Sequence, residues 1–457
     1  MQLATVVLAA GRGTRMKSAL AKPLHRLLGR PLTDYALALA SELGDPQPVF
    51  VVGHDAEQLR AVLPAPVRTV DQTEQLGTGH AVQQASALLA GQSTAVLVWA
   101  VDMPLLTAPT LQQLVDMQRE SGCAVAMLTV LADDPRGFGR VVRGAAGQVL
   151  AIVEEADATP EQRLIRELNA GVYCFDAAWL WETLPLIPLS PKGEYYLTDL
   201  VGLAVQQGRT VLAQPIAEAS EAIGINTRVH LAEASAALQR RINTAWMLAG
   251  VTLIDPATTY IEPGVQLAAD TVIWPNTHLQ GSTTIGPDCE IGPNSIIRNT
   301  QIGARCKVEA SVLEDASVAD DVQIGPFGHL RKGARLETGV HMGNFGEVKN
   351  STLGPGVKMG HFSYVGDAEI GARTNIGAGT ITCNFGVDGK KHRTVIGEDA
   401  YIGSDTMLVA PVQVGVRGRT GAGTVVTSDI PDDSLAVGVP SRVIKTFAPP
   451  EETAQTE

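Results

Sequence analysis

In the second half of the chain, small aliphatic residues recur every six positions, at Ile261, Leu267, Ile273, Leu279, Ile285, Ile291 and Ile297. The beat slips, then resumes at Val318, Ile324 and Leu330, at Leu353, Met359 and Val365, and at Ile396, Ile402, Leu408, Val414, Thr420 and Val426. Gly often follows the aliphatic residue, as in Ile285-Gly286, Ile291-Gly292, Ile324-Gly325, Ile376-Gly377 and Ile402-Gly403. A period of six fits neither the helix nor the strand repeat alone. It is the signature of a hexapeptide β-helix, whose coils stack with the aliphatic side chain inward. The glycines are expected to supply the backbone freedom that each corner needs.

The first half has a different pattern. Short buried-strand runs at Leu3–Ala10, Val49–Val52, Ala95–Val101, Ala124–Val130 and Ala170–Phe175 alternate with amphipathic stretches such as Thr107–Glu120. This is the α/β pattern, and open α/β sheets bind ligands at the carboxyl ends of their strands. Residues 1–226 are therefore expected to form one domain. Residues 227–250 are expected to form a linker helix, with Leu231, Leu238, Ile242 and Trp246 on one face and Gly250 as its stop. Residues 251–457 are expected to form the repeat domain, ending in a short acidic, Pro-containing tail from Ala448 that reads as disordered.

Composition narrows the function. At 457 residues the chain is too long for one core. Its net charge of −13 argues against nonspecific nucleic-acid binding, while a local site can still hold phosphates. Cys123, Cys174, Cys289, Cys306 and Cys383 lack metal-ligand spacing, as expected of unpaired thiols in a reducing compartment. No apolar run reaches membrane-span length. Met1-Gln2-Leu3-Ala4 lacks the basic start of a signal peptide, so a cytoplasmic location is expected.

Candidate chemistry begins after the first strand. Leu8-Ala9-Ala10-Gly11-Arg12-Gly13-Thr14-Arg15-Met16 is followed by Lys22-Pro23. Small residues let backbone N–H groups approach phosphate oxygens, and Arg15 and Lys22 add positive charge. The glycines fit neither a Walker A loop nor a dinucleotide fingerprint. Gln72-Thr73-Glu74-Gln75-Leu76-Gly77-Thr78-Gly79 suits a base. Asp102, directly after a strand, and Asn226, in Gly224-Ile225-Asn226, offer oxygens to Mg²⁺.

The loop resembles the sugar-1-phosphate nucleotidyltransferase signature. With the repeat half it resembles, over Leu3 to about Lys445, the bacterial bifunctional N-acetylglucosamine-1-phosphate uridylyltransferase/glucosamine-1-phosphate acetyltransferases. That family implies an α/β fold: an N-terminal Rossmann-like nucleotidyltransferase domain joined by a helix to a C-terminal left-handed parallel β-helix. It implies that Leu8, Ala9, Ala10 and Gly11 contact the uridine nucleotide and that Lys22 contacts its phosphates. Gln72, Gly77 and Thr78 would read the uracil region, Asp102 and Asn226 hold Mg²⁺, and Gly139, Glu154 and Asn169 line the sugar side. In the second domain Arg331 and Lys349 would hold the sugar phosphate, with His361 as base beside Tyr364. Asn375, Ala378, Asn384, Phe385, Ser404 and Ala422 fall at sugar and acetyl-CoA contacts. The chain departs from the family at Ala100-Val101, where Tyr-Gly is usual before the metal Asp, and at Phe385, where Tyr is usual. Near the C-terminal end, Arg442 is a possible substitute for an unmatched basic residue.

The resemblance implies two reactions. Acetyl-CoA acetylates the amine of glucosamine 1-phosphate, with His361 taking the proton. The resulting N-acetylglucosamine 1-phosphate then attacks the α-phosphorus of UTP, giving UDP-N-acetylglucosamine for peptidoglycan and lipopolysaccharide precursors, hence for cell-wall biogenesis and cell shape. Small-molecule substrates, a homotrimer, and neither nucleic-acid nor membrane partners are expected. Two other readings stand beside this one: a nucleotidyltransferase with a purely structural β-helix, and a zinc β-helix enzyme using His329, His341 and His361. Gly193-Glu194-Tyr195-Tyr196-Leu197-Thr198-Asp199 also resembles the family, but it reads equally as a packed helix start and receives no site role.

Overall fold

The computed structural model describes residues 2–447; the tail expected to be disordered lies outside them. The chain forms two compact units that divide between Leu238 and Gln239. The division falls inside the helix Arg228–Leu248.

The first unit is built on a mixed sheet. From one edge its main path runs Val211–Pro215, Val125–Leu131, Glu167–Asp176, Ala95–Ala100, Leu3–Leu8, Val49–Val52, Arg68–Asp71. Leu3–Leu8 pairs in parallel with Val49–Val52 and Ala95–Ala100. Glu167–Asp176 is antiparallel to both of its neighbours, a reversal that strand composition does not encode. Alternate residues fill two cores, as the two-residue strand period requires. Val6, Val49, Val51, Val96 and Val98 face one, and Val7, Phe50, Val52, Leu97 and Trp99 face the other. With both faces covered, the strands read as continuous apolar runs. A hairpin, Arg140–Arg143 with Val149–Val153, branches from the sheet through the Leu168–Arg140 pair.

Among the described residues the second unit is a left-handed parallel β-helix of three sheets, of twelve, ten and nine strands, visited in turn on each coil, except that the last strand of the twelve, Arg442–Thr446, folds back antiparallel on Ser434–Val437. A regular coil takes eighteen residues, three six-residue beats, so Ile273 lies opposite Ile291 and Leu279 opposite Ile297. Leu279, Ile297, Leu313, Leu330, Val348 and Val365 form one stacked ladder inside the second sheet. All six are buried, each contributing roughly 1.5–3 kcal/mol of apolar burial. Where the beat slips, corners shorten and the ladder stays in register: Ile285 meets Ile302, and Ile302 meets Val318. One coil is lengthened between Ile376 and Ile402, by the loop from Asn384 to Arg393 between the strands Ile381–Cys383 and Thr394–Ile396.

The corner glycines do a different job from the one expected at three of the five positions. Gly292 and Gly325 have positive φ, but Gly286, Gly377 and Gly403 do not. A Cβ on Gly286 would meet the Gly303 carbonyl carbon of the next coil at 2.7 Å, so its need is close approach. The left-handed corner residues are often Asp or Asn, among them Asp270, Asn276, Asp288 and Asn294, which tolerate that region best after Gly. In the same unit, Gln239 and Asn243 donate amide bonds to the carbonyls of Pro256 and Thr259. Ile242 and Trp246 pack on the coil core.

Candidate active sites

The first site opens at the carboxyl ends of the parallel strands. The chain leaves Leu3–Leu8 at Ala9, whose N–H donates to Val51 O at 2.9 Å. It then turns through Gly13 in the left-handed region into the short helix Thr14–Met16. Among the described residues, the N–H groups of Ala10, Gly11 and Arg12 have no protein acceptor, as a phosphate cradle needs. A Cβ on Gly11 would meet nothing within 4 Å, so this backbone faces open space. Leu8, Ala9, Ala10, Gly11, Lys22, Gln72, Gly77, Thr78, Asp102 and Glu154 line a cleft of about 430 Å³. A second lobe of about 230 Å³ shares Leu8, Thr78, Asp102 and Glu154, and adds Gly139, Asn169 and Asn226. Of the first-unit residues expected from the sequence, all but Arg15 meet in one cleft whose two lobes share Asp102.

Specific bonds place them. Val101 N–H donates to Leu8 O at 3.0 Å, fixing the Asp102 turn beside the loop. Ile225 N–H donates to the Asp102 carbonyl at 2.8 Å, which brings Asn226 alongside. The Lys22 ammonium pairs with Asp102 Oδ2 and donates to Asn226 Oδ1 at 2.9 Å. Arg15 Nη2 donates to the same Oδ1 at 2.9 Å. A carboxylate and an amide oxygen thus converge on one cation, here an ammonium, and this donor set suits a hard divalent ion. Lys22, expected on phosphate, stands in the structure against these two oxygens. Gln72 is buried, and its amide donates to Gly77 O at 2.9 Å. On the sugar side, Asn169 N–H donates to Gly139 O at 2.8 Å, and the sheet register shifts between Asn169 and Tyr173.

Gly193–Asp199, read from the sequence as a packed helix start, does lead into the helix Asp199–Gln206, and it also lines the cleft. Tyr195 exchanges backbone bonds with the base loop, its N–H donating to Leu76 O at 2.7 Å and its carbonyl accepting from Gly79 N at 2.8 Å. Glu194 and Tyr196 line the first lobe. Leu197 and Thr198 line the second. Thr198 Oγ1 donates to Glu154 Oε1 at 2.9 Å. A Cβ on Gly77 would stand 2.6 Å from Tyr195 O, so that glycine admits the segment. The family match Gly193–Asp199 was the available signal.

The second site lies along the β-helix's ten-stranded sheet. His361, Ala378, Ser404 and Ala422 occupy the same corner of four successive coils, just before the strands Ser363–Gly366, Ile381–Cys383, Met407–Val409 and Val425–Val426. Asp405 N–H donates to Ala378 O, and Gly423 N–H to Ser404 O. His361, Ser404 and Ala422 are exposed. At the opposite corner of the same sheet stand Arg331, Lys349, Asp367 and the loop from Asn384. Arg331 Nη1 donates to Glu347 Oε1 at 2.8 Å, and Glu347 lies beside Tyr364 in register. Asn384 Nδ2 donates to Asp367 Oδ2 and reaches Tyr364 Oη at 3.4 Å. Asn375 opens the strand before Ala378. Phe385 is 68% exposed at the loop base.

Lys391 was not anticipated, because only the folded insertion carries it there. Its ammonium lies 3.8 Å from Asp367 Oδ2. Lys349 is held below the ordinary lysine value, chiefly by Lys391 and then by Arg331. Burial pushes the Asp367 carboxyl up, but bonds from Asn350 and Asn384 and the charges of Lys391 and Lys349 outweigh it, leaving it below the usual range. Three cations thus crowd one corner, a poor arrangement alone and a good one around an anion. His329 lies 3.6 Å from Glu314. No group of three His, Cys, Asp or Glu able to hold a metal occurs among the described residues.

Residues 5–171 match the family described as MobA-like NTP transferase domain. Residues 259–299 match bacterial transferase hexapeptide (six repeats), and 393–428 match hexapeptide repeat of succinyl-transferase. The chain is 47% identical over 440 residues to the bifunctional protein GlmU of Pelobacter propionicus, covering 95% of both chains. It is 48% identical over 448 residues to that of Trichlorobacter lovleyi, covering 97% of both. With the protein of Exiguobacterium sibiricum it shares 47% over 434 residues, 94% of this chain and 96% of the relative.

Proposed function

The chain belongs to the family of the bifunctional protein GlmU, and from that premise we propose how its residues divide two transfers between the two units. The protein is a bifunctional transferase that acetylates glucosamine 1-phosphate from acetyl-CoA and transfers UMP from UTP to N-acetylglucosamine 1-phosphate, supplying a cell-wall precursor. Family membership decides against the scaffold-only and zinc-enzyme readings.

The uridylyl transfer belongs to the cleft of the first unit. The convergence of the Leu8–Gly11 loop, Asp102 and Asn226 carries this assignment. The free N–H groups of the loop hold the triphosphate, and Gln72, Gly77 and Thr78 hold the uracil. Glu154, Asn169 and Gly139 orient the sugar so that its phosphate oxygen lies in line with the α-phosphorus. Asp102 and Asn226 would hold Mg²⁺, which supplies charge neutralisation on the phosphates when bound. Arg15 and Lys22 carry the remaining positive charge toward the leaving pyrophosphate. No covalent intermediate is needed, since positioning and electrostatics suffice.

The acetyl transfer belongs to the β-helix. Arg331, Lys349 and Lys391 hold the sugar phosphate, and Tyr364, Asn375 and Asn384 hold the ring. Ala378, Phe385, Ser404 and Ala422 hold acetyl-CoA. His361 accepts the amine proton as the nitrogen attacks the thioester carbonyl, and CoA thiolate leaves. Backbone N–H groups of the coil stabilise the oxyanion. The sites form between subunits of a homotrimer. The stacked rings of Phe327 and Phe345, 57% and 60% exposed near the His361 corner, support association there. The enzyme works on small molecules in the cytoplasm, without nucleic-acid or membrane partners; no helix among the described residues is long and apolar enough to cross a membrane.

The test is CoA release from acetyl-CoA with glucosamine 1-phosphate, run on the parent and on His361→Ala. Release by the parent and its loss in the variant, with uridylyl transfer intact in both, is the expected result. Full CoA release by His361→Ala rejects the assignment of the base.

A further inference from the structure

Asn226 Oδ1 accepts from two cations at once, Lys22 Nζ and Arg15 Nη2, each at 2.9 Å. Lys22 simultaneously pairs with Asp102 Oδ2. The side chains of Lys22 and Asp102 are only 13% and 15% exposed, so water screens this pair poorly. An amide oxygen has two lone pairs, and these two donors engage both. The two oxygens assigned above to the metal are therefore already neutralised by the protein's own cations. A divalent cation arriving alone must expel an ammonium from a carboxylate and two donors from an amide, and it meets their positive charge on the way in.

We infer that Lys22 and Arg15 plug the cation site of the nucleotide-free enzyme, and that the triphosphate opens it by drawing both side chains onto its own oxygens. The inference rests on the assignment of Asp102 and Asn226 as cation ligands. The loop geometry makes such a transfer short. Lys22 and the Leu8–Gly11 backbone line the same cleft, and a Cβ on Gly13 would lie 2.7 Å from Lys22 Cβ, so the Lys22 stem runs directly under the loop. Arg15 follows two residues after Gly13, in the short helix that the loop feeds. A triphosphate carries more negative charge than one carboxylate, so the cations lose little by moving. Their departure leaves Asp102 and Asn226 with free lone pairs where a phosphate oxygen can share the incoming ion. Metal and nucleotide then enter together, and the empty enzyme does not accumulate a metal that would block the cleft.

A closed site lowers apparent affinity by the fraction of molecules that are open. If the plug is in place about nine-tenths of the time, removing it tightens metal binding roughly tenfold by the same relation. The experiment is Mn²⁺ titration of full-length, nucleotide-free protein, read as loss of the free-ion electron paramagnetic resonance signal. Lys22→Met is expected to bind Mn²⁺ at least about tenfold more tightly than the parent, and Arg15→Met to show a smaller gain. Arg12→Met is the charge control. Arg12 sits on the same loop but bonds Gln75 Oε1 at 2.7 Å, so it removes one positive charge without touching the plug, and no tightening is expected. Circular dichroism melts verify that each variant is folded. Equal affinity in Lys22→Met and the parent overturns the inference, as does equal tightening in Arg12→Met and Lys22→Met, which would mean a general charge effect. Asp102→Asn separates the two levels. If UTP-dependent Mn²⁺ uptake beyond that caused by UTP without protein survives in it at the parent's strength, the ligand assignment fails. If that uptake is lost there while Lys22→Met gains nothing, the plug alone fails.

Discussion

Gly13 and Lys22 lie so close that a Cβ on the first would stand 2.7 Å from the Cβ of the second. Gly13 also has a φ of +60°, where any other L residue costs about 1–2 kcal/mol. Gly13→Ala therefore strains the loop and displaces the Lys22 stem, and with it the charge assigned to the leaving pyrophosphate. The expected outcome is a loss of roughly tenfold or more in uridylyl transfer, equal to about 1.4 kcal/mol of barrier, with CoA release unchanged. Assaying both reactions on one preparation checks it. Equal loss of both would point to misfolding.

The six-residue beat was legible because inward side chains are read directly from sequence spacing, and Ile273, Leu279, Ile285, Ile291 and Ile297 are all in the coil core. The cleft residues were legible because they lie in short local motifs, several of them, such as Leu8 to Gly11, Gln72 and Asp102, at a strand end. Features set by distant backbone were not legible. The segment at Tyr195 meets Gly79 through a carbonyl that no side-chain pattern marks. The antiparallel run of Glu167–Asp176 depends on which neighbours it finds in the sheet. Gly286 and Gly292 carry the same sequence signal, yet one answers a close approach and the other a positive φ. Lys391 is one of two adjacent lysines in an insertion outside the repeat, and only folding shows that it faces Asp367.

Thr198→Val tests the newly placed segment. Its hydroxyl donates to Glu154 Oε1 at 2.9 Å, and valine keeps the shape while removing the donor. A hydrogen bond to a charged group contributes about 1.5–3 kcal/mol. Freed of it, Glu154 orients the sugar less well. The KM for N-acetylglucosamine 1-phosphate should rise at least about tenfold on that scale, with the KM for UTP unchanged. A rise confined to UTP would place Thr198 on the nucleotide side instead.

His25 ties the first unit's stability to pH. Its ring is 3% exposed, its Nε2 has no partner among the described residues, and Arg228 Nη1 sits 3.2 Å from Nδ1. Burial first, and Arg228 second, hold its pKa below the ordinary 6.5. The unfolded chain therefore binds the proton more readily than the folded one. His25 supports folding fully above pH 6.5, and that support is lost as pH falls through the lower folded value. His25→Gln should flatten this acid-side decline in a chemical-denaturation series, and an unchanged slope would reject it.

The cation corner of the second unit should give acetyl transfer an unusual alkaline limb. Lys349 is held below the ordinary lysine value of 10.5, chiefly by Lys391, while Lys391 itself is held above it. As pH rises, the Lys349–Lys391 pair sheds its first proton below the normal lysine range, and the corner loses a positive charge. Affinity for the sugar phosphate falls with it, so the KM for glucosamine 1-phosphate should begin to climb at a pH where kcat at saturation is still steady. Lys391→Met removes the repulsion that depresses Lys349. In that variant the KM should be higher at neutral pH, because one phosphate partner is gone, yet its alkaline rise should shift to higher pH. The two effects have opposite signs, so a merely weakened site cannot mimic them. Initial rates across neutral to alkaline pH at graded glucosamine 1-phosphate decide the matter. An alkaline limb at the same pH in parent and variant would show that Lys391 does not set the proton affinity of Lys349.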